Sequence, residues 1–135
     1  MQDPANQQYS ILVVEDEQLL RDVLVQKFQE AGFTVYGAKD GKEGYDSAIK
    51  YHPHLILMDI MMPGMDGIAV LKQLRKDPWG KEVSIILLTN VSDPRLVAES
   101  LEEGGLEYLV KTDWDIDEVV AKVRDTVRSR VQPTA

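Results

Sequence analysis

The stretch "LILMDIMMPGMDG", from Leu55 to Gly67, decides the fold class of this chain. It opens with four consecutive apolar residues, which is typical of a strand buried on both faces of a parallel sheet. The apolar run stops at the carboxylate of Asp59 and continues into a loop of Met, Pro and Gly residues. The stretch therefore predicts a buried strand that carries an acidic side chain at the edge of the core.

Four more apolar runs accompany this strand: "YSILVV", "FTVYGA", "VSIILL" and "LEYLV". The segments between the runs have apolar residues at helical spacing. In the first such segment Leu20, Leu24 and Phe28 share one face, and Gly32 stands where a left-handed C-terminal cap is expected. Parallel neighbours in a sheet need long crossovers, for which helices serve. The alternation predicts an α/β fold, a doubly wound parallel sheet of five strands with five helices.

Composition limits the classes of partner. The chain has 135 residues, of which 44% are hydrophobic, enough for one domain with one sizeable core. Its formal net charge of -8 argues against a nucleic-acid surface, because phosphate binding needs clustered Lys and Arg. The sequence contains no cysteine, which fits a reducing compartment, and its apolar runs are too short to span a membrane. We therefore expect a cytoplasmic protein without a direct nucleic-acid or membrane partner.

The two ends of the chain lack the pattern of the middle. "MQDPANQQYS" has neither the basic start nor the apolar stretch of a signal peptide, and "RVQPTA" is short and polar. We expect residues 1–9 to form a flexible N-terminal arm, residues 10–130 to form the folded domain and residues 131–135 to form a flexible tail.

The candidate site follows from where the predicted strands end. Ligand sites of doubly wound sheets lie outside the carboxyl ends of the strands. The first strand delivers Glu15 and Asp16 to this edge, and the third delivers Asp59. The fourth strand delivers Thr89, and the fifth delivers Lys111. Three acids, a hydroxyl and an amine are thus expected to converge.

Each of these side chains alone has an ordinary structural interpretation. An acid after a strand is often a solvated turn residue or a helix cap, and a lysine is often a surface cation. Together, however, three carboxylates at short range disfavour one another's ionised form. A positive group is therefore expected among them. Mg²⁺ fits best, because it prefers oxygen ligands and is commonly held by one or two carboxylates together with phosphate oxygens.

A magnesium site of this kind leaves room for a phosphoryl group. Aspartate carboxylates are known nucleophiles that form aspartyl phosphates, and Asp59 ends the central strand. Mg²⁺, the Lys111 ammonium and the Thr89 hydroxyl would surround the transferred oxygens, since phosphoryl transfer depends mainly on positioning and charge neutralisation. The sequence therefore predicts that Asp59 becomes phosphorylated.

Four segments together resemble a known family. "ILVVEDE", "LILMDIMMPGMDGI", "IILLTN" and "EYLVKT" are similar to the receiver domain of two-component response regulators, over about Ser10 to Arg130. The resemblance implies a flavodoxin-like sheet with strand order 2-1-3-4-5. It also implies that Asp59 is the phosphoacceptor, and that Asp16, Glu15 and the Met61 backbone carbonyl hold Mg²⁺ with it.

The resemblance assigns the remaining roles as well. It makes Thr89 the switch hydroxyl, Tyr108 the switch aromatic residue and Lys111 the cation that contacts the phosphoryl group. The implied phosphodonor is a sensor histidine kinase or a histidine phosphotransfer protein. A downstream protein target or output domain would read the signal from the fourth helix, fifth strand and fifth helix, where homodimers of the family also form.

Two positions depart from the family pattern. Asn90 follows Thr89 where a small residue, commonly Ala, is usual. In "KTDWDIDE" the usual Lys-Pro pair is replaced, since Thr112 and Asp113 follow the lysine and Trp114 takes the place of the aromatic residue.

The function predicted from these observations is a phosphorylation-controlled signalling switch. It would catalyse transfer to its own Asp59 and slow hydrolysis there, without turning over a separate substrate as an enzyme does. The alternative is a receiver-shaped interaction module that is not phosphorylated. A haloacid-dehalogenase-type phosphohydrolase is disfavoured, because Met61 stands where that enzyme has its second Asp. We expect either a stand-alone regulator or a receiver from a larger protein.

Overall fold

The structure of the protein is a computed structural model that describes residues 8–90 and 93–130. Within these residues five β-strands alternate with five α-helices. The strands are β1 (Ser10–Val14), β2 (Thr34–Ala38), β3 (Leu55–Met58), β4 (Ser84–Thr89) and β5 (Glu107–Val110). The helices are α1 (Gln18–Glu30), α2 (Gly41–Tyr51), α3 (Gly67–Lys76), α4 (Pro94–Glu102) and α5 (Ile116–Arg130).

The strands form one parallel sheet in the order β2-β1-β3-β4-β5. The register aligns Val14 of β1 with Met58 of β3, and Met58 with Leu87 of β4. The carboxyl ends of the central strands therefore meet at one edge. This order confirms the predicted doubly wound fold. Among the described residues, no helix combines the length and the apolar character needed to cross a membrane.

The sheet is buried on both faces, as the apolar strands predicted. Successive residues of β1 alternate between two cores: Leu12 packs in the core beneath α2 and α3, whereas Val13 packs in the core beneath α1 and α5. All four residues of β3 are buried, which confirms the prediction from the opening stretch. Gly32 has a φ of 108°, so the expected left-handed cap after α1 is also present.

The amino-terminal boundary of the folded domain needs a correction. Tyr9, assigned above to the arm, is only 9% exposed. Its backbone carbonyl accepts a hydrogen bond from the Thr34 amide, and its ring packs edge-on against His54. The apolar run "YSILVV" begins with Tyr9, and the predicted boundary fell one residue too late within it. The rest of the predicted arm, apart from Gln8, and the predicted tail lie outside the described residues.

Candidate functional site

Three acidic side chains meet at the carboxyl edge of the sheet. Glu15 and Asp16 follow β1, and Asp59 follows β3, whose neighbour in the sheet is β1. One carboxylate oxygen from each lies within 4.8 Å of the others. Glu15 and Asp59 are buried, while Asp16 is exposed to solvent. The structure thus brings together the acids that the sequence placed at one edge.

Lys111, which follows β5, reaches across this edge to two of the acids. Its Nζ lies 2.6 Å from Oε1 of Glu15 and 3.0 Å from Oδ2 of Asp59. Burial alone would lower the pKa of Lys111, but the hydrogen bonds to Glu15 and Asp59 outweigh it and raise that pKa. Lys111 is therefore charged at neutral pH, and its ammonium partly neutralises the acids.

The loop after β3 fixes the Asp59 carboxylate from the other side. The backbone N–H of Met61 donates to Oδ1 of Asp59 over 3.2 Å. The loop then folds back, and the Gly67 N–H donates to the Ile60 carbonyl over 2.9 Å. A Cβ at Gly67 would lie 2.3 Å from the Asp59 carbonyl oxygen, so only glycine permits this approach. The "DG" at the end of the opening stretch thus closes the loop around Asp59.

Glu15 is held at both its side chain and its backbone. Its Oε2 accepts from the Glu17 N–H over 3.0 Å, and its backbone N–H donates to the Ala38 carbonyl over 3.0 Å. Its backbone carbonyl accepts from the Arg21 guanidinium over 2.8 Å. Burial raises the pKa of Glu15 above its ordinary value, and the hydrogen bonds from Lys111 and Glu17 oppose this rise. Sequence reasoning did not find the contact with Arg21, because no motif marks it.

The two residues assigned to the switch lie on neighbouring strands. Thr89 is the last residue of β4 and is fully buried. Tyr108 lies on β5 opposite Leu87 of β4 and is partly buried. Burial raises the pKa of the Tyr108 phenol, and the nearby carboxylates of Asp93 and Asp59 raise it further. The charges of both Asp93 and Asp59 therefore act on the Tyr108 phenol.

The donor set fits a hard divalent cation. All three side chains offer carboxylate oxygens, which Mg²⁺ prefers, and one ammonium cannot balance three carboxylates. Met61 directly follows the buried residue Ile60 and is itself 57% exposed. The chemistry of the site therefore matches the predicted cofactor, while the ligand roles of individual residues remain predictions.

The segment after Lys111 takes an ordinary backbone path. Lys111–Asp113 forms a short 3₁₀ turn, and the peptide bonds of the described residues are all trans. Thr112 and Asp113 are exposed, whereas Trp114 packs against the core beneath α1 and α5. Lys111 thus reaches Asp59 without the Lys-Pro pair.

A family model described as the response regulator receiver domain matches residues 11–124. The chain belongs to this family. The match covers the five strands apart from Ser10 and runs into α5, so it includes every residue of the candidate site. The predicted family, the fold and the function class of a phosphorylation-controlled signalling switch are thereby confirmed.

Individual relatives agree with the family model. The chain is 36% identical to the probable transcriptional regulator ycf27 of Porphyridium aerugineum, over 90% of this chain and 49% of that relative. It is 30% identical to the DNA-binding dual master transcriptional regulator RpaA of Synechocystis, over 87% of this chain and 48% of RpaA. The receiver domain therefore spans about half the length of these curated relatives.

A solved structure supports the same assignment. The receiver domain of the Francisella response regulator 1452 superimposes with a TM-score of 0.79 at 31% sequence identity. The match covers 89% of this chain and 97% of that receiver domain. The architecture described here is therefore that of an entire receiver domain.

Proposed function

We propose that the receiver domain accepts a phosphoryl group from a phosphohistidine onto the carboxylate of Asp59 in a magnesium-dependent reaction. The observation that carries this proposal is the placement of Asp59. Its carboxylate is only 5% exposed, it lies in the acidic cluster, and Lys111 and the Met61 N–H hold its two oxygens. A carboxylate positioned in this way can act as a nucleophile towards phosphorus.

The proposed transfer exchanges one bond to phosphorus for another. A carboxylate oxygen of Asp59 attacks the phosphorus, the N–P bond of the donor breaks, and the ring nitrogen keeps the bonding electron pair and takes up a proton from solvent, so that neutral imidazole leaves. The Lys111 ammonium, which already contacts both Glu15 and Asp59, then contacts a phosphoryl oxygen and stabilises its negative charge. Mg²⁺, held by Glu15, Asp16, Asp59 and the Met61 carbonyl, would supply the remaining positive charge.

The same site would limit the lifetime of the product. Water attack on the acyl phosphate returns Asp59 and inorganic phosphate, so the domain would catalyse slow dephosphorylation of itself. No separate substrate is turned over in this scheme. Asn90 is exposed next to buried Thr89, so its side chain lies at the rim through which donors and water approach.

The proposed response begins at Thr89 and ends at Tyr108. The Thr89 hydroxyl would move towards the new phosphoryl oxygens, and the Tyr108 ring would turn into the space beside β5. Tyr108 packs at the margin of the core beneath α2 and α3, which also contains Leu96 of α4. A rotation of the ring would therefore alter the surface formed by α4, β5 and α5.

The proposed partners follow from the chemistry of the site and from the relatives. The donor would be a sensor histidine kinase or a histidine phosphotransfer protein, and the surface beside the acids suits a protein donor: Leu19 of α1 and Met61 are 77% and 57% exposed. The target would be a downstream protein or an output domain that docks on the surface of α4, β5 and α5, and a second copy could pair through that surface. We propose that the receiver domain spans residues 10–130 together with Tyr9, which packs in its core, and that it acts in the cytoplasm.

Small phosphodonors test the acceptor directly. Incubation with phosphoramidate and Mg²⁺ should add one phosphoryl group, labile at alkaline pH, that intact-mass spectrometry detects. Asp59→Asn or chelation of Mg²⁺ should abolish the labelling, whereas Asp46→Asn, a change at an exposed acid of α2, should leave it unchanged. Full labelling of Asp59→Asn would refute the assignment, and an unlabelled parent would favour the interaction module without phosphorylation.

A second variant separates the response from the chemistry. Thr89→Ala should still accept the phosphoryl group at Asp59, because Thr89 supplies neither the nucleophile nor a metal ligand. It should lose most of the phosphorylation-dependent shift of the Tyr108 ring and of the α4 amides in NMR spectra. A full response in Thr89→Ala would contradict the proposed switch and would direct attention to Asn90.

A further inference from the structure

Arg21 contacts the site without belonging to its acids. It lies in α1, one turn after the Glu15–Asp16 pair, and its Nη1 donates to the backbone carbonyl of Glu15 over 2.8 Å. The methylene stem of Arg21 lies against Gly37 of β2, where an added Cβ would be 3.8 Å from its Cγ and Cδ. The guanidinium is therefore held between α1 and the edge strand, with its donor directed at the loop after β1.

The carbonyl that Arg21 contacts controls the direction of Asp16. A peptide unit is planar, so the carbonyl of Glu15 and the N–H of Asp16 turn together. Glu15 is otherwise fixed at its amide and at both carboxylate oxygens. The Asp16 carboxylate is exposed and, within residues 8–90 and 93–130, has no hydrogen bond or ion pair. The orientation of this one peptide therefore sets the direction in which the Asp16 side chain leaves the backbone.

We propose that Arg21 is a positioning residue for the divalent-cation site: its hydrogen bond to the Glu15 carbonyl fixes the Glu15–Asp16 peptide and thereby aims the Asp16 carboxylate at the cation. This inference rests on the proposed function, since it assumes that the cluster binds Mg²⁺. Arg21 acts through the backbone and does not touch the ion.

Positioning and charge predict opposite effects of losing Arg21. Removal of a positive charge from the vicinity of three carboxylates strengthens their attraction for Mg²⁺. Loss of a hydrogen bond that orients a ligand weakens the binding, and partners beyond the direct ligands commonly contribute about tenfold or more to metal affinity. The sign of the change therefore distinguishes the two roles.

The experiment compares Arg21→Met with Lys27→Met. Both changes remove one positive charge from α1, but Lys27 pairs with exposed Asp117 over 3.7 Å and does not reach the acids. Mg²⁺ is titrated into ¹⁵N-labelled protein without any phosphodonor, and the amide shifts of Asp59 and Gly67 report its binding. We expect the Kd of Arg21→Met to rise about tenfold and that of Lys27→Met to stay at the parent's value.

Arg21→Lys tests the hydrogen bond itself. The lysine ammonium can also donate to the Glu15 carbonyl, so this variant should recover most of the affinity and guards against a folding defect in Arg21→Met. With phosphoramidate, Arg21→Met should need about tenfold more Mg²⁺ for half-maximal labelling but should reach the parent's rate at saturation. If Arg21 only supported the fold, Arg21→Met would instead lower the labelling rate at saturating Mg²⁺.

The outcomes separate this inference from the proposed function. A parent that binds no Mg²⁺ overturns both. A parent that binds Mg²⁺, with Arg21→Met equal to it or tighter, overturns only the role of Arg21. Equal weakening of Mg²⁺ binding by Lys27→Met and Arg21→Met also overturns it, because the charge of α1 would then explain the effect. Equal weakening by Arg21→Lys and Arg21→Met overturns it as well, because the shape of the arginine side chain would then explain the effect.

Discussion

Helices α1 and α4 both border the site, but they are attached to the sheet very differently. α1 buries Leu24 and Phe28 completely in the core that it shares with α5. α4 buries only Ser100 among its nine residues, and Leu101 remains 46% exposed. The acids of the site thus lie beside the firmly packed α1, whereas Thr89 lies beside the weakly packed α4.

One polar anchor of α4 lies at its C-terminal end. Arg75 of α3 donates through one nitrogen to the Gly80 carbonyl over 2.7 Å and through another to the Gly104 carbonyl, just beyond α4. Gly104 has a φ of 99°, and a Cβ there would lie 2.7 Å from Nε of Arg75. Glycine is therefore required both by the backbone and by the arginine.

The difference between the helices suits their proposed roles. Carboxylates that bind an ion and attack phosphorus must keep a fixed geometry, which a well-packed helix provides. An element that reports a new charge must have two accessible arrangements, which a helix with little buried apolar surface provides more readily. We therefore expect α1 to belong to the most stable part of the domain and α4 to the least.

Truncation of the apolar residues gives the largest expected contrast. Phe28→Ala should reduce the free energy of unfolding by about 3 to 5 kcal/mol, because it leaves a cavity beneath α1. Leu101→Ala should cost less than about 1 kcal/mol, because that side chain is half exposed. Urea denaturation of both variants measures the difference, and similar costs would show that α4 is as firmly packed as α1.

The charges at the site give the next contrast. Lys111→Met should destabilise the metal-free protein by about 3 kcal/mol, because it leaves Glu15 and Asp59 buried without their cation. Lys42→Met removes an ion pair with Asp46 that is largely exposed, so it should cost under about 0.5 kcal/mol. Thermal melts without Mg²⁺ test this prediction. Lys111→Met as stable as Lys42→Met would mean that water, not Lys111, compensates the acids.

Local sequence patterns were sufficient to predict several features of the fold and of the site. The apolar run of β3, the left-handed Gly32 and the edge that collects Glu15, Asp59 and Lys111 all follow from short segments and from the topology of parallel sheets. The strand order came from resemblance to the family, and the structure confirms it. These features needed no knowledge of side-chain packing.

The contacts that sequence reasoning missed depend on distances between separate elements. Arg21 is one of several polar residues of α1, and only the fold shows that it reaches the Glu15 carbonyl. Arg75 likewise gives no signal that its partner lies near residue 104. The boundary at Tyr9 was misplaced for the same reason, since its burial depends on β2 and His54.

The attachment of α4 can be loosened without a change at the site. Arg75→Met should cost about 1.5 kcal/mol, the loss expected for hydrogen bonds from a charged group, and should speed amide hydrogen exchange in α4 more than in α1. Arg95→Met, at the other end of α4, removes an exposed arginine whose ion pair with Asp93 has little effect. Equal acceleration in both helices would show that Arg75 supports the whole domain and not α4 in particular.

The smallest expected effect on stability concerns His54, at the opposite end of the sheet from the acids. His54 Nδ1 accepts from the backbone N–H of Ser10 over 3.0 Å, so the ring is neutral and carries its hydrogen on Nε2. Burial lowers the pKa of His54 below its ordinary value of about 6.5. As the pH falls below that value, the unfolded chain binds a proton before the folded one does. The contribution of His54 to stability is therefore complete above pH 6.5 and is lost as the pH falls towards the folded pKa.

His54→Asn should flatten this part of the pH dependence, because the asparagine carbonyl can accept from Ser10 at the place of Nδ1 and does not titrate. Urea denaturation at pH 7.5 and pH 5 should show a smaller fall in the variant than in the parent, while the carboxylates contribute equally to both. His52→Asn is the matched control for the substitution itself, because His52 is exposed and has a φ of 48°, a conformation that asparagine tolerates. An equal fall in His54→Asn and the parent would assign the loss to the acids at the carboxyl edge, and the contrast between the ends of the sheet would fail.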